Sequence, residues 1–225
     1  MAKKITLPLF LLDKDKANVM WHDLKRFAVI TRGFLENIDA EVYGKIPNAV
    51  RLSIAELQAV AVEELLYIEN VMVLTKIDLG QTAFPRESVS IRTIADTARE
   101  FLEPLTKERG MKLQISLFPE KTIHTNQRYA TLALENMLCA ASALPQALSW
   151  KLSGVIHGKK SEIMLEGSKA LTGDISQLLQ KNISRKYLFV PSKNPFFQQA
   201  LYLLVAQELA RALGGKFQII NQKKV

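Results

Sequence analysis

The feature that most constrains this chain is a pair of apolar stripes at helical spacing within its first 80 residues. Met20, Leu24, Phe27, Thr31, Phe34 and Ile38 recur at alternating intervals of four and three, which is the seam of a helix packed lengthwise against others. Asp13 or Asp15 can cap this helix, which the pattern carries to about Tyr43. Gly44-Lys45-Ile46-Pro47 then breaks it with turn chemistry. A second helix is expected from Asn48 or from Ser53, where Ser53 and Glu56 can form a capping box. Its stripe is Ile54, Leu57, Ala61, Leu65, Ile68 and Met72, and it ends near Gly80. Two such helices with a short connection make an antiparallel hairpin. One hairpin has too little interior to stand alone, so the pattern predicts a four-helix bundle completed by a second copy of the chain.

From Gln81 to Glu87 the periodicity lapses around Pro85, which divides the chain into a hairpin at residues 1–80 and a second unit at 88–225. Elements alternate in that unit. A helix is expected from about Ile91 to Arg109, stopped by Gly110, then a strand at Met111 to Leu117 and a helix at about Asn126 to Ala143. Strands at Leu148 to Val155 and Glu162 to Leu165 read as a hairpin turned by His157-Gly158-Lys159. Leu171 to Lys181 suggests a short helix and Lys186 to Val190 an edge strand. The last helix spans about Phe196 to Leu213, stops at Gly214-Gly215 and leads to a strand at Lys216 to Asn221. Helices gathered over a mixed sheet make an α+β layer domain.

Composition narrows the partners. The formal charge is +8, from 30 Lys and Arg against 22 Asp and Glu. Such an excess serves solubility or attraction to an acidic partner. No long Lys/Arg run and no basic stripe interleaved with aromatics is present, which disfavours nucleic acid. The single cysteine, Cys139, excludes an intrachain disulfide and a multi-cysteine metal site. It lies in an apolar helical stretch and reads as a small core residue. The apolar run Leu7 to Leu12 contains Pro8 and is too short to cross a bilayer, and no cleavage-site pattern follows it. A cytoplasmic location without a membrane partner is expected.

His22 carries the chemistry. With Leu24 and Phe27 in the seam, it falls at the outermost heptad position, facing solvent; Asp23 follows, and Lys25 and Arg26 lie one turn on. A lone histidine on a helix is commonly only a surface residue. A neutral imidazole is nevertheless a competent nucleophile for phosphoryl groups near neutral pH. An adjacent carboxylate can hold one ring nitrogen and leave the other free to attack, while cations steady the transferring group. Val29, one heptad on, with Arg32 and Gly33 on the next turn, forms a docking strip with Lys25 and Arg26. His124 and His157 read as loop histidines, Trp21 as packing at the hairpin's end, and no P-loop, HExxH or GxSxG motif is present.

These residues resemble the core of a two-component sensor kinase. His22-Asp23-Leu24-Lys25 is similar to the phosphoacceptor box, and Val73-Leu74-Thr75-Lys76-Ile77-Asp78-Leu79-Gly80 to the end of the second helix. Ser88 to Leu117 resembles the approach to the ATP-binding domain, and Leu201 to Gly215 its last helix with the closing Gly-Gly. The ATP-site motifs do not survive. Asn136 can match the asparagine that resemblance makes a magnesium ligand, but Ala140 stands four residues on; the register shifted by one gives Glu135 and Cys139. The Asp-x-Gly-x-Gly loop is missing from Leu165-Glu166-Gly167-Ser168-Lys169, and Ala200 and Tyr202 replace the phosphate-cradling glycines.

A kinase-like frame with an emptied nucleotide site resembles the ChpT-type histidine phosphotransferases. Ala140-Ala141-Ser142-Ala143-Leu144-Pro145 and Gln199-Ala200-Leu201-Tyr202-Leu203 are similar to that family. The resemblance implies a homodimeric hairpin followed by a degenerate GHKL-type ATPase-like α/β sandwich. It further implies a phosphotransferase without ATP-dependent kinase activity, shuttling phosphoryl groups between receiver-domain aspartates. His22 is then the phosphoacceptor and Asp23 its orienting base, with Lys25, Arg26, Val29, Arg32 and Gly33 meeting response-regulator receivers and a hybrid histidine kinase. No cofactor is expected on this chain, Mg²⁺ being carried by the receiver. Arg26-Phe27 stands where the family has Ser/Thr-Pro, which keeps open an alternative: a non-catalytic scaffold or regulator that binds a histidine kinase or response regulator.

Overall fold

The computed structural model describes residues 14–81, 83–116, 122–143, 149–157, 160–167 and 195–218, with the side chains of all but 14–18, 156–157, 160–161 and 195–198. Two long helices open it, α1 (Lys14–Asp39) and α2 (Asn48–Asp78). They run antiparallel: the Lys25 ammonium pairs with Glu69, the Gln58 amide donates to the Leu35 carbonyl at 3.4 Å, and Arg51 pairs with Asp39 and Glu41 at the turn. α1 stops four residues before Tyr43, because the chain turns through positive φ at Glu41 (57°) and Gly44 (112°). Pro47, in extended conformation, starts α2 at Asn48 without a side-chain cap. Ser53 and Glu56 therefore lie inside the helix and no capping box forms. Asp13 lies outside the described residues.

Only one stripe of α1 is covered within the chain. Ala28 and Leu35 are buried and Trp21, another heptad back, is half-buried. The seam read from the spacing is about 100° further round and is open along its middle: Phe27 is 61% and Phe34 56% exposed and Leu24 is exposed too, while Met20 and Ile38 at its ends are half-buried. A single hairpin can bury just one flank of α1 against α2, so the larger apolar residues are left on the open side.

The second unit packs on the far side of α2. Its described elements are β1 (Glu87–Ser90), α3 (Ile91–Glu108), β2 (Lys112–Ile115), β3 (Thr122–Thr125), α4 (Gln127–Ser142), β4 (Ser149–His157), β5 (Lys160–Gly167) and α5 (Pro195–Ala212). One core runs through both units: Val62, Leu66 and Val73 of α2 pack with Ile94 and Leu102 of α3, Leu138 of α4, and Tyr202 and Leu209 of α5. β2 pairs parallel with β4, which pairs antiparallel with β5 in the order β2-β4-β5; β1 and β3 form a separate antiparallel pair.

Local chemistry explains the boundaries. The Ser90 hydroxyl accepts from the Arg92 N–H at 3.2 Å to start α3, and the Asn126 amide oxygen accepts from the Tyr129 N–H at 3.0 Å to start α4. The Asn126 amide also donates to the Pro85 carbonyl at 2.7 Å, tying down the connecting segment. α2, α3 and α5 stop alike. Gly80, Gly110 and Gly214 take positive φ, and the next N–H reaches back to the helix, as from Met111 to the Thr106 carbonyl at 2.8 Å.

β1 and β3 were not apparent in the sequence: each is four residues long and mostly polar, and His124 lies in β3 rather than in a loop. Conversely, Lys216 to Gln218 form no strand. Leu171 to Lys181 and Lys186 to Val190, read as a helix and an edge strand, lie outside the described residues, as do Gly158 and Lys159 at the β4–β5 turn.

Register in the larger sheet is fixed by Trp150, which pairs with Gly167 and is buried against it. A Cβ at Gly167 would stand 2.9 Å from the Trp150 ring. Gly167→Ala should therefore lower stability by about 1–3 kcal/mol through overpacking, and Gly167→Ala with Trp150→Leu should recover part of the loss. Thermal denaturation of the three proteins checks this.

Candidate functional site

His22 sits on the outer flank of α1, its side chain 77% exposed. Its Nδ1 lies 3.7 Å from Asp23 Oδ1, close enough for charge interaction and just beyond hydrogen-bond length. A modest side-chain rotation would bring the carboxylate onto Nδ1–H and leave Nε2 open to solvent as a nucleophile.

Four of the five residues of the sequence-derived docking strip come together. Lys25, Val29, Arg32 and Gly33 form one wall of a cleft of about 680 Å³, opposed by Phe101 of α3 and by Arg128, Thr131 and Glu135 of α4. His22 lies one turn before Lys25 on this flank, which follows from helical spacing. Arg26 does not join them: it is exposed, its guanidinium 5.6 Å from the Phe27 ring centre. Lys25 and Arg32 enter the cleft as paired charges. Lys25 is bound to Glu69 of α2, and Arg32 Nε meets Glu36 at 2.7 Å with its guanidinium 5.2 Å over the Phe101 ring.

The cleft's acidic side was missed in the sequence. Glu69 accepts from Lys25 and from Arg128 at 2.6 Å. Burial pulls its carboxyl upward, but those hydrogen bonds and charges outweigh burial and hold it below the usual value. Glu135 differs. It is buried at 9% exposure, and burial, reinforced by the Glu69 charge, pushes its carboxyl up to about 8 despite Arg32, Arg128 and Lys25 nearby. Four residues earlier on α4, the buried Thr131 hydroxyl lines the cleft with no hydrogen-bond partner among the described residues. The available signal was the i, i+4 spacing of Thr131 and Glu135 on an otherwise apolar helix.

Behind the cleft, Asn136 is fully buried. Its amide exchanges two hydrogen bonds with Asn70 of α2, at 2.7 and 2.8 Å, and donates a third to the Leu132 carbonyl at 2.8 Å. All its hydrogen-bonding capacity is used inside the protein except one acceptor lone pair. Arg109 reaches Glu63 of α2 at 2.6 Å and the Ser142 hydroxyl at 2.8 Å. Tyr202 is buried, its hydroxyl 3.4 Å from Glu63. Cys139 is buried as well, and burial pushes its thiol up to about 12, so it stays protonated and unreactive. Among the described residues no group of three or more His, Cys, Asp and Glu is placed to hold a metal ion, and no helix is long and apolar enough to cross a membrane.

Two solved structures are similar to this chain. The histidine kinase AdeS of Acinetobacter baumannii superposes with a TM-score of 0.52 at 18% identity, over 89% of this chain and 91% of that one. A histidine kinase from Burkholderia phymatum STM815 aligns with a TM-score of 0.43 at 13% identity, over 94% of this chain and 91% of that one. The fold is histidine-kinase-like on the first of these likenesses. No protein-family model and no curated protein matches the sequence.

Glu135 gives the site a pH signature. Its folded-state value lies above the ordinary 4.5, so the folded state binds more protons than the unfolded one between those values. Stability present below about pH 4.5 is then lost as pH rises through about 8. Glu135→Gln should flatten that decline and melt several degrees above the parent at pH 8.5, with little difference at pH 5. Paired melting curves across this range decide it.

Proposed function

We propose that this chain is a cytoplasmic histidine phosphotransfer protein of a two-component phosphorelay, passing phosphoryl groups between receiver-domain aspartates by way of His22. The observation that carries this reading is placement: an outward imidazole beside a carboxylate, on the flank of α1 that continues into a cleft of docking size, opposite the helix's uncovered apolar face. The likeness to AdeS, a histidine kinase, supports a role in two-component signalling.

The chemistry needs little from the protein. Nε2 of neutral His22 attacks the phosphorus of an aspartyl phosphate. The N–P bond forms as the P–O bond to the aspartate breaks, and the aspartate leaves as a carboxylate. The ring keeps its Nδ1 proton and becomes cationic, and Asp23 accepts a hydrogen bond from Nδ1–H and steadies that charge. The receiver supplies Mg²⁺. A second receiver's aspartate reverses the step. Val29 and Gly33 offer a low wall for a receiver helix, and Lys25, Arg26 and Arg32 set the electrostatics of encounter with an acidic rim.

ATP is not the phosphoryl source in this reading. The asparagine that would hold its metal is bonded to Asn70 in the interior, and Tyr202 is packed where the cradling glycines are absent. The hairpin of residues 1–80 serves dimerisation and phosphotransfer, and 88–225 is a degenerate ATPase-like domain. Phe27, Phe34, Leu57, Val60 and Tyr67, all exposed within one chain, form the face on which a second copy completes a four-helix stem.

A second reading, a scaffold or regulator that binds a kinase or response regulator without carrying phosphate, draws on the 3.7 Å gap between His22 and Asp23 and on Arg26-Phe27 after the box. The readings separate on one variant. His22→Ala should abolish movement of labelled phosphate between receivers, and acid-labile phosphohistidine, while leaving the dimer intact. Transfer through His22→Ala, or wild-type function of that variant in cells, sinks the relay. Independently, Phe27→Asp with Phe34→Asp should weaken dimerisation by about a hundredfold or more, given ~1.5–3 kcal/mol per buried aromatic side chain. Sedimentation reads it out.

A further inference from the structure

The seam between α2 and the second unit is apolar along most of its length, from Ala59 and Val62 to Leu66 and Val73. Contacts of that kind resist separation but tolerate sliding, because burial is non-directional. Two polar residues one heptad apart on α2 interrupt it. Glu63 takes Arg109 at 2.6 Å, and Asn70 takes Asn136 through two reciprocal hydrogen bonds at 2.7 and 2.8 Å. A third link at the cleft edge joins Glu69 to Arg128 at 2.6 Å. Asn70 and Asn136 are both fully buried, so any relative shift that parted them would leave two amides without water or partner.

We infer that Asn70 and Asn136 are positioning residues, a buried amide clasp that fastens the second unit to the hairpin in a single orientation and so fixes the width of the cleft beneath His22. A single buried asparagine setting the register of an apolar helix seam is the best-attested use of such a group. The functional part rests on the phosphotransfer reading; the mechanical part does not. With the clasp closed, α4 is a stationary wall for a visiting receiver rather than a swinging domain. Burial encloses the Asn136 amide completely, so its place in the clasp leaves it no access to solvent.

The test compares four full-length proteins: wild type, Asn136→Leu, Asn70→Leu with Asn136→Leu, and a control, Leu152→Ala, in the core at β4. Hydrogen exchange and small-angle scattering are measured at temperatures equally far below each melting point. Asn136→Leu should raise amide exchange about tenfold or more across 61–75 and 128–140 and broaden the scattering profile; Leu152→Ala should do neither. The double variant, with no amide left unpaired, should regain melting temperature yet keep the broadened profile, because the apolar pair no longer selects one orientation. Wild-type exchange and scattering in both clasp variants, or a rise no more local than in Leu152→Ala, overturns the inference. Loading of His22 from phosphoramidate, run on the same proteins, should proceed at the wild-type rate in every variant. If His22 takes no phosphate even in the wild type, the functional reading falls while the scattering result still decides the clasp.

Discussion

Everything in this molecule is organised by the burial of α2 on more than one side. One flank packs on α1, and another is the floor on which α3, α4 and α5 assemble. A helix apolar nearly all round must be enclosed, and α2 carries buried residues around most of its circumference, from Ile54 and Ala61 to Val71, Val73 and Leu74. The rest of the architecture follows. α1 can cover only the flank left to it, and that forces its own larger residues, Phe27 and Phe34, outward.

Charge placement at the cleft reflects the same economy of surfaces. Lys25, Arg128 and Glu69 satisfy one another across three helices. Glu135, two turns beyond Arg128 on α4, has no direct partner among the described residues and is held neutral by burial over much of the physiological range. A protonated carboxyl is a donor as well as an acceptor, and it stands beside the unpartnered Thr131 hydroxyl. This floor can therefore hydrogen-bond to a visiting group of either polarity. The cleft's rim is electrostatically settled; its floor is not.

How far the sequence revealed this depended on range. Some local signals were legible: the helix stops at Gly80, Gly110 and Gly214 need a residue tolerant of positive φ, and Asn126 opens α4 by bonding three residues ahead. Ser53 and Glu56, by contrast, form no capping box, because Pro47 starts α2 five residues earlier. The β4–β5 pair was legible because its strands are long. β1 and β3 were not, since Glu87–Ser90 and Thr122–Thr125 are brief and polar and are defined only by each other. The heptad in α1 predicts a packed seam, but within one chain Leu24, Phe27 and Phe34 stay exposed, because spacing cannot say which partner covers an apolar stripe. At the site, His22, Lys25, Val29 and Arg32 share a flank because of helical periodicity, a one-dimensional property. Glu69 and Glu135 join them from 44 and 110 residues beyond Lys25, and no local pattern announces that meeting.

Asn136 is where local likeness and three-dimensional placement diverge most. In sequence it resembles an asparagine that the kinase likeness would make a metal ligand; in space its amide is turned into the hairpin and paired with Asn70. A buried asparagine without a partner would cost about 1–3 kcal/mol, so the two are best understood as one feature. Motif comparison scores each position separately and cannot see a pair 66 residues apart. The pairing also bears on mobility. A domain that must swing onto a histidine and away again cannot be held by a closed amide ring, an apolar floor and the Arg109–Glu63 bond together. A domain that only frames a cleft benefits from all three: under the phosphotransfer proposal, a cleft of constant width beside His22 would spare binding energy from ordering its walls.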